Sequence, residues 1–142
     1  MMKKKEMKLL DDFVKECKKK FRRNLVSIIL FGSRATGKAN EGSDWDILVV
    51  LKKLPKNKHQ IEFELRKVEE KYHQVIQPFL ISMTDIKKTP INPLIYGILT
   101  GYDVLYGEQV WKDLIISWRP FIKRTRPEYI DEEKTWKIAR LI

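Results

Sequence analysis

Asp44 and Asp46 stand one residue apart in the stretch from Leu30 to Val50, LFGSRATGKANEGSDWDILVV. At the start of a strand, residues i and i+2 project to one face, so this spacing predicts two carboxylates side by side with Trp45 turned to the other face. Two like charges that close repel, and one would protonate unless a cation sits between them. Hard oxygen donors of this kind suit Mg²⁺ or Mn²⁺, which also bridge phosphate oxygens. A phosphate site to match lies upstream. Gly32-Ser33 ends an apolar run, and a helical turn there leaves amides free for phosphate oxygens, with no side chain at Gly32 to hold them off. Ser33 adds a hydroxyl donor, Arg34 and Lys38 are candidate countercharges, and Gly42-Ser43 form the turn that aims the second run. The plain alternatives are a capped turn with Ser33 as N-cap and a solvated D-x-D turn.

Residues 32–38 also spell G-x-x-x-x-G-K, the pattern of a nucleotide-triphosphatase P-loop. That reading fails twice. Ala39 stands where the loop needs a hydroxyl for magnesium, and Gly42-Ser43 interrupt the long helix that must follow.

The elements that must position these residues follow from periodicity. Met7, Leu10, Phe13, Val14, Cys17 and Phe21 recur at spacings of three and four, the stripe of an amphipathic helix, so Cys17 is a core residue. Leu25 to Phe31, LVSIILF, and Ile47 to Leu51 are short β-branched and aliphatic runs, as buried strands require. Ile61, Leu65, Val68 and Tyr72 predict a helix over 59–72, and 74–82 a third strand. Pro90 and Pro93 open another helix that Gly101 ends, and Val110, Trp111, Leu114, Ile115 and Trp118 mark the last. The fold class is α/β, a small mixed β-sheet flanked by helices. The composition changes at Arg119-Pro120, which divides the chain into a domain over 1–118 and an extension over 119–142 that docks on the domain or a partner.

The totals narrow the partners. A chain of 142 residues, 43% hydrophobic, suits one core. Lys and Arg number 29 against 19 Asp and Glu, a formal charge of +10 that favours nucleotide phosphate or nucleic acid; a solvated helix face is the plain reading of the many lysines near the start. One cysteine, Cys17, excludes an intramolecular disulfide and a Cys-based zinc site, and makes a reducing, cytoplasmic compartment the default. No run approaches the roughly 18 apolar residues of a membrane span, and the lysine-rich start lacks the apolar core of a signal peptide. His59 and His73 have no partner at metal-ligand spacing.

Gly32-Ser33, ten residues from Arg34 to Ser43, and Asp44-Trp45-Asp46 together resemble the mark of the minimal nucleotidyltransferases of the DNA polymerase β superfamily. The resemblance implies that family's sheet-and-helix core and the transfer of a nucleoside monophosphate from a triphosphate, ATP favoured, to an acceptor hydroxyl with loss of pyrophosphate. It implies that Gly32 and Ser33, helped by Arg34, Lys38 and Ser43, hold the triphosphate. Asp44 and Asp46 would be the catalytic pair and hold the Mg²⁺ or Mn²⁺. It also implies a protein acceptor, a small helical toxin of the HEPN type. Relatives carry a third carboxylate on the third strand. Here that strand reads HQVIQPFLIS and has no acid; Gln77 occupies the place, and an amide neither accepts a proton nor neutralises a cation. Two other readings therefore stand beside the enzyme: a nucleotide-binding or toxin-neutralising module without transfer, and, from the +10 charge, a nucleic-acid-binding protein.

Overall fold

The computed structural model describes residues 2–88, 93–125, 128–130 and 135–137. Helix α1, Lys4–Phe21, buries Leu9, Leu10, Phe13, Cys17 and Phe21. Met7, expected on that stripe, is 55% exposed, because the buried line passes through Leu9 instead. A 3₁₀ turn over Arg22–Asn24 leads to β1, Leu25–Phe31, then to the short helix α2, Ser33–Thr36, and to β2, Trp45–Leu51.

The helix expected over 59–72 is two helices, α3 (Lys58–Leu65) and α4 (Val68–Tyr72), and α4 ends at His73 in the left-handed conformation. They form the crossover that a parallel pairing needs, and β3, Ile76–Ser82, pairs parallel to β2. There follow α5 (Met83–Lys88), α6 (Pro93–Leu99), β4 (Asp103–Tyr106), α7 (Glu108–Thr125) and an antiparallel pair of β5 (Glu128–Ile130) and β6 (Thr135–Lys137). The strands β4 to β6 carried too few residues to announce themselves. The composition change at Arg119-Pro120 falls inside α7, which continues to Thr125 across Pro120. Part of the extension expected over 119–142, and Pro90 at the start of the expected helix, lie outside the described residues.

The main sheet runs β3-β2-β1-β4, with β1 antiparallel to β2 and β4, and is therefore mixed. Ile28, Leu30, Ile47, Val49, Leu51 and Leu80 share one buried cluster with α1. Ile29, Phe31, Leu48 and Val50 share another with Ile95, Ile98, Trp111, Leu114 and Trp118 from α6 and α7. Coverage of both faces explains why β1 and β2 read as unbroken apolar runs rather than alternating ones. Each such side chain, fully buried, contributes about 1.5–3 kcal/mol, so the two central strands are the firmest part of the molecule. They are also the strands that carry the motif. Among the described residues no helix is long and apolar enough to cross a membrane.

Candidate active site

The antiparallel register sets Phe31 opposite Asp46, so the residue after Phe31 turns over the Asp46 carboxylate. That residue is Gly32, with φ 74° and ψ −160°, a conformation essentially confined to glycine. A Cβ there would overlap Asp46 Oδ2 and approach its Cγ to 3.3 Å. The bare backbone of the bend and the second acid of the pair thus occupy one place.

From Gly32 the chain enters α2. The Gly32 carbonyl accepts from the amides of Ala35 at 3.0 Å and Thr36 at 3.1 Å, while the amides of Ser33 and Arg34 donate to no acceptor among the described residues. The latter two are the free donors that the first turn of any helix leaves. Gly37, in the left-handed region at φ 77°, ends the turn, and its successor Lys38 donates its amide to the Ser33 carbonyl at 3.1 Å. The side chain of Lys38 is exposed.

The loop between α2 and β2 is built by Asn40, Ser43 and Arg34. Asn40 donates its amide to Ser43 Oγ at 3.0 Å and accepts the Gly42 amide on Oδ1 at 2.9 Å. The Ser43 hydroxyl therefore closes the loop. Arg34 turns its guanidinium inward, only 8% exposed. Its Nη2 donates to the carbonyl oxygens of Ser43 at 3.0 Å and Glu41 at 3.3 Å and to Gln74 Oε1 at 3.0 Å; its Nη1 pairs with Glu6 of α1 at 3.0 Å. The same guanidinium lies 4.4 Å from the centre of the Trp45 ring, and Trp45 Nε1 donates to Gln74 Oε1 at 3.0 Å. One cation fastens the residues flanking Asp44 to the loop before β3 and to α1. Gln74 and Glu6 carry no local sign of this role: their meeting with Arg34 is made by topology, not by spacing.

Trp45 is 1% exposed in the α1-side cluster, so the flanking acids face the other way, as the i, i+2 rule requires. Asp44 is exposed and Asp46 half-buried. Burial, and secondarily the charge of Asp44, push the Asp46 carboxyl above the usual aspartate range. A charge held against its preference in this way is what a bound cation would relieve. In the parallel register Gln77 pairs with Asp46, on the same face as Phe79 and Leu48. Among the described residues no three acids, histidines or cysteines gather closely enough to hold a metal. The donor set is therefore two carboxylates beside one amide, which suits a hard divalent ion that takes its remaining oxygens from a bound phosphate or water.

His59 and His73 are both exposed, and burial pushes the Cys17 thiol up, away from reactivity. A cleft of about 560 Å³ between α1 and the α3–α4 pair holds none of the motif residues; it is lined by Asp12, Lys15, Lys20, Glu64 and Lys71 among others, and its ion pairs Lys20–Glu64 and Lys71–Asp12 account for much of its charge.

Residues 10–99 match the profile of the nucleotidyltransferase domain. A protein of Methanocaldococcus jannaschii, named provisionally as a protein adenylyltransferase, is 47% identical over 139 residues, 94% of this chain and 95% of that one. Among solved structures, spectinomycin adenyltransferase from Enterococcus, determined with ATP and spectinomycin, has a TM-score of 0.59 at 17% identity, with 87% of this chain and 69% of that one covered. A chain from the complex of a tri-AMPylated Shewanella oneidensis HEPN toxin with its MNT antitoxin has a TM-score of 0.53 at 18% identity, covering 82% of this chain and 86% of that one. At these identities the solved structures speak for the fold alone.

Proposed function

The chain belongs to the nucleotidyltransferase domain family, and from that premise we propose that it transfers AMP from ATP to a hydroxyl on a partner protein, a small helical HEPN-type toxin. The observation that carries this reading is the contact between the bare backbone at Gly32 and the Asp46 carboxylate, with Asp44 on the same face. Phosphate donors and metal-type acceptors then border one space. The protein acceptor is supported by the name of the M. jannaschii relative and by the fold shared with chains from toxin–antitoxin complexes.

In this mechanism the amides of Ser33 and Arg34 and the Ser33 hydroxyl bind phosphate oxygens, and Gly32 lets them approach. Asp44 and Asp46 would hold Mg²⁺ or Mn²⁺, and such an ion supplies neutralisation of the triphosphate and pyrophosphate charge. The acceptor oxygen forms its bond to the α-phosphorus as the bond to the β-phosphate oxygen breaks, and pyrophosphate departs. Exposed Lys38 is free to approach the triphosphate. The Arg34 side chain acts at one remove, holding the Glu41 and Ser43 carbonyls and so the position of Asp44; Ser43 closes the same loop. Gln77 can orient the acceptor by a hydrogen bond but cannot take its proton, so the proton passes to the aspartate pair or to solvent.

The test is incubation with labelled ATP, Mg²⁺ or Mn²⁺ and the cognate HEPN protein, beside Asp44→Asn. Label on the partner that disappears in the variant is the expected result. Equal labelling by both proteins removes the reading. Gln77, in register beside Asp46, favours one second reading, a nucleotide-binding module without transfer. Calorimetric binding of a nonhydrolysable triphosphate with no label incorporated would establish it.

A further inference from the structure

The positive charge of this protein is not spread evenly. Residues 17–24, CKKKFRRN, and 52–58, KKLPKNK, carry nine of the 29 basic residues and none of the 19 acids. The fold joins the two segments: the Lys52 amide donates to the Asn24 carbonyl at 2.9 Å, the Lys53 amide to Asn24 Oδ1 at 2.9 Å, and Asn24 Nδ2 to the Lys53 carbonyl at 2.8 Å. The start of β1 and the end of β2 are thereby fastened under one basic surface. Lys19, Arg22, Arg23, Lys52, Lys53 and Lys56 are all exposed and none has an acidic partner among the described residues. The neighbouring cleft between α1 and the α3–α4 pair differs, since its Lys20 and Lys71 are paired with Glu64 and Asp12. Six uncompensated cations at one end of a small domain repel one another, and an anionic partner relieves that repulsion.

We propose that this end of the sheet is a docking surface for double-stranded nucleic acid, bound through its phosphate backbone. The surface chemistry selects that partner. A protein–protein interface centres on aromatic or other apolar anchors, but among the described residues the exposed large apolar ones are Met7, Phe63, Val75, Ile116 and Phe121, none of them in either segment. Single strands are held by stacking bases on exposed aromatic rings; the one aromatic residue of the two segments, Phe21, is buried. Point charges without apolar anchors or stacking platforms match a regular array of phosphates. The surface lies at the far end of β2 from Asp44 and Asp46, a separation of roughly 20 Å at about 3.3 Å per residue, so it does not compete with the candidate active site for phosphate. The proposal stands independently of the transfer reaction.

Fluorescence anisotropy with a labelled DNA duplex, an RNA hairpin, a single strand and polyglutamate tests it directly on the whole protein. The expected result is duplex binding whose logarithmic salt dependence has a slope of about −5, since each of six neutralised phosphates contributes about −0.9. The combined substitution Arg22→Gln, Arg23→Gln, Lys52→Gln, Lys53→Gln should flatten the slope by about 3 to 4 and weaken binding at least tenfold at about 0.1 M salt. Removing the same charge from the other end of α1, by Lys3→Gln, Lys4→Gln, Lys5→Gln and Lys8→Gln, should cost less than about threefold, and exchanging Lys and Arg at the four patch positions should preserve binding. Unchanged melting temperatures establish that the variants are folded. No duplex binding at low salt, tighter binding of the single strand or of polyglutamate, or equal losses in the two Gln variants would each overturn the proposal.

Discussion

Substituting Gly32 by alanine puts the central geometry under direct strain. The residue sits at φ 74°, ψ −160°, and holding an L side chain there costs about 1–3 kcal/mol. A Cβ would also overlap Asp46 Oδ2, and restoring ordinary contact displaces that carboxylate by about 1 Å, a misplacement that can lower a transfer rate about 100-fold. Gly37 provides the matched control. It too has positive φ, 77°, but a Cβ there meets nothing within 4 Å, so Gly37→Ala should lose about 1–2 kcal/mol of stability and keep its rate. The assay is AMP transfer from labelled ATP to the proposed HEPN-type acceptor, with thermal melting of each variant run alongside. A folded Gly32→Ala protein that transfers AMP within about threefold of the parent, or a Gly37→Ala protein equally impaired, would refute the reasoning that ties the bend to the acid.

Further consequences concern charge and burial. Asp46→Asn should raise the melting temperature at neutral pH in metal-free buffer, because the carboxyl's folded pKa is raised and its ionisation works against folding; the gain should shrink as pH falls from the raised folded pKa and vanish below the ordinary value of about 3.9. Added Mg²⁺ should stabilise the parent and not this variant. Arg34→Lys keeps the charge but loses the fork that holds Ser43, Glu41 and Gln74, so the Mg²⁺ concentration for half-maximal transfer should rise about 10- to 100-fold with little change in the rate at saturation. Tyr72→Phe removes the hydroxyl that holds the Asp12 carboxyl below its ordinary range; the resulting loss of melting temperature at neutral pH should fade in acid as Asp12 protonates in the parent. Cys17, fully buried with its thiol pushed up, should resist thiol reagents until the protein unfolds.

The arrangement of the candidate site was the most legible part of this chain because it rests on short-range rules. A period of two puts Asp44 and Asp46 on one face and Trp45 on the other, and an unbroken apolar run announces a strand covered on both sides. The α1 stripe was readable for the same reason, apart from Met7. What depends on distant pairing was not readable. Arg34 looks like a phosphate ligand in the linear motif, yet its guanidinium is engaged by Glu6 and Gln74, 28 and 40 residues away. Likewise β4 is four residues long, too short for alternation to stand out, and exists because β1 has an open edge to pair. The split between α3 and α4 had no proline or glycine to mark it. Net charge favours a polyanionic partner without locating a surface for it; the gathering of Arg22, Arg23, Lys52 and Lys53 appears only once Asn24 ties the two segments together.

The most direct measurement of the central claim is a crystal structure grown with Mn²⁺ and a nonhydrolysable ATP analogue, with the metal located by its anomalous signal. Mn²⁺ is expected at about 2.0–2.2 Å from carboxylate oxygens of both Asp44 and Asp46, with phosphate oxygens of the analogue on the amides of Ser33 and Arg34. Metal bound elsewhere, or a triphosphate seated away from the Gly32 bend, would contradict it.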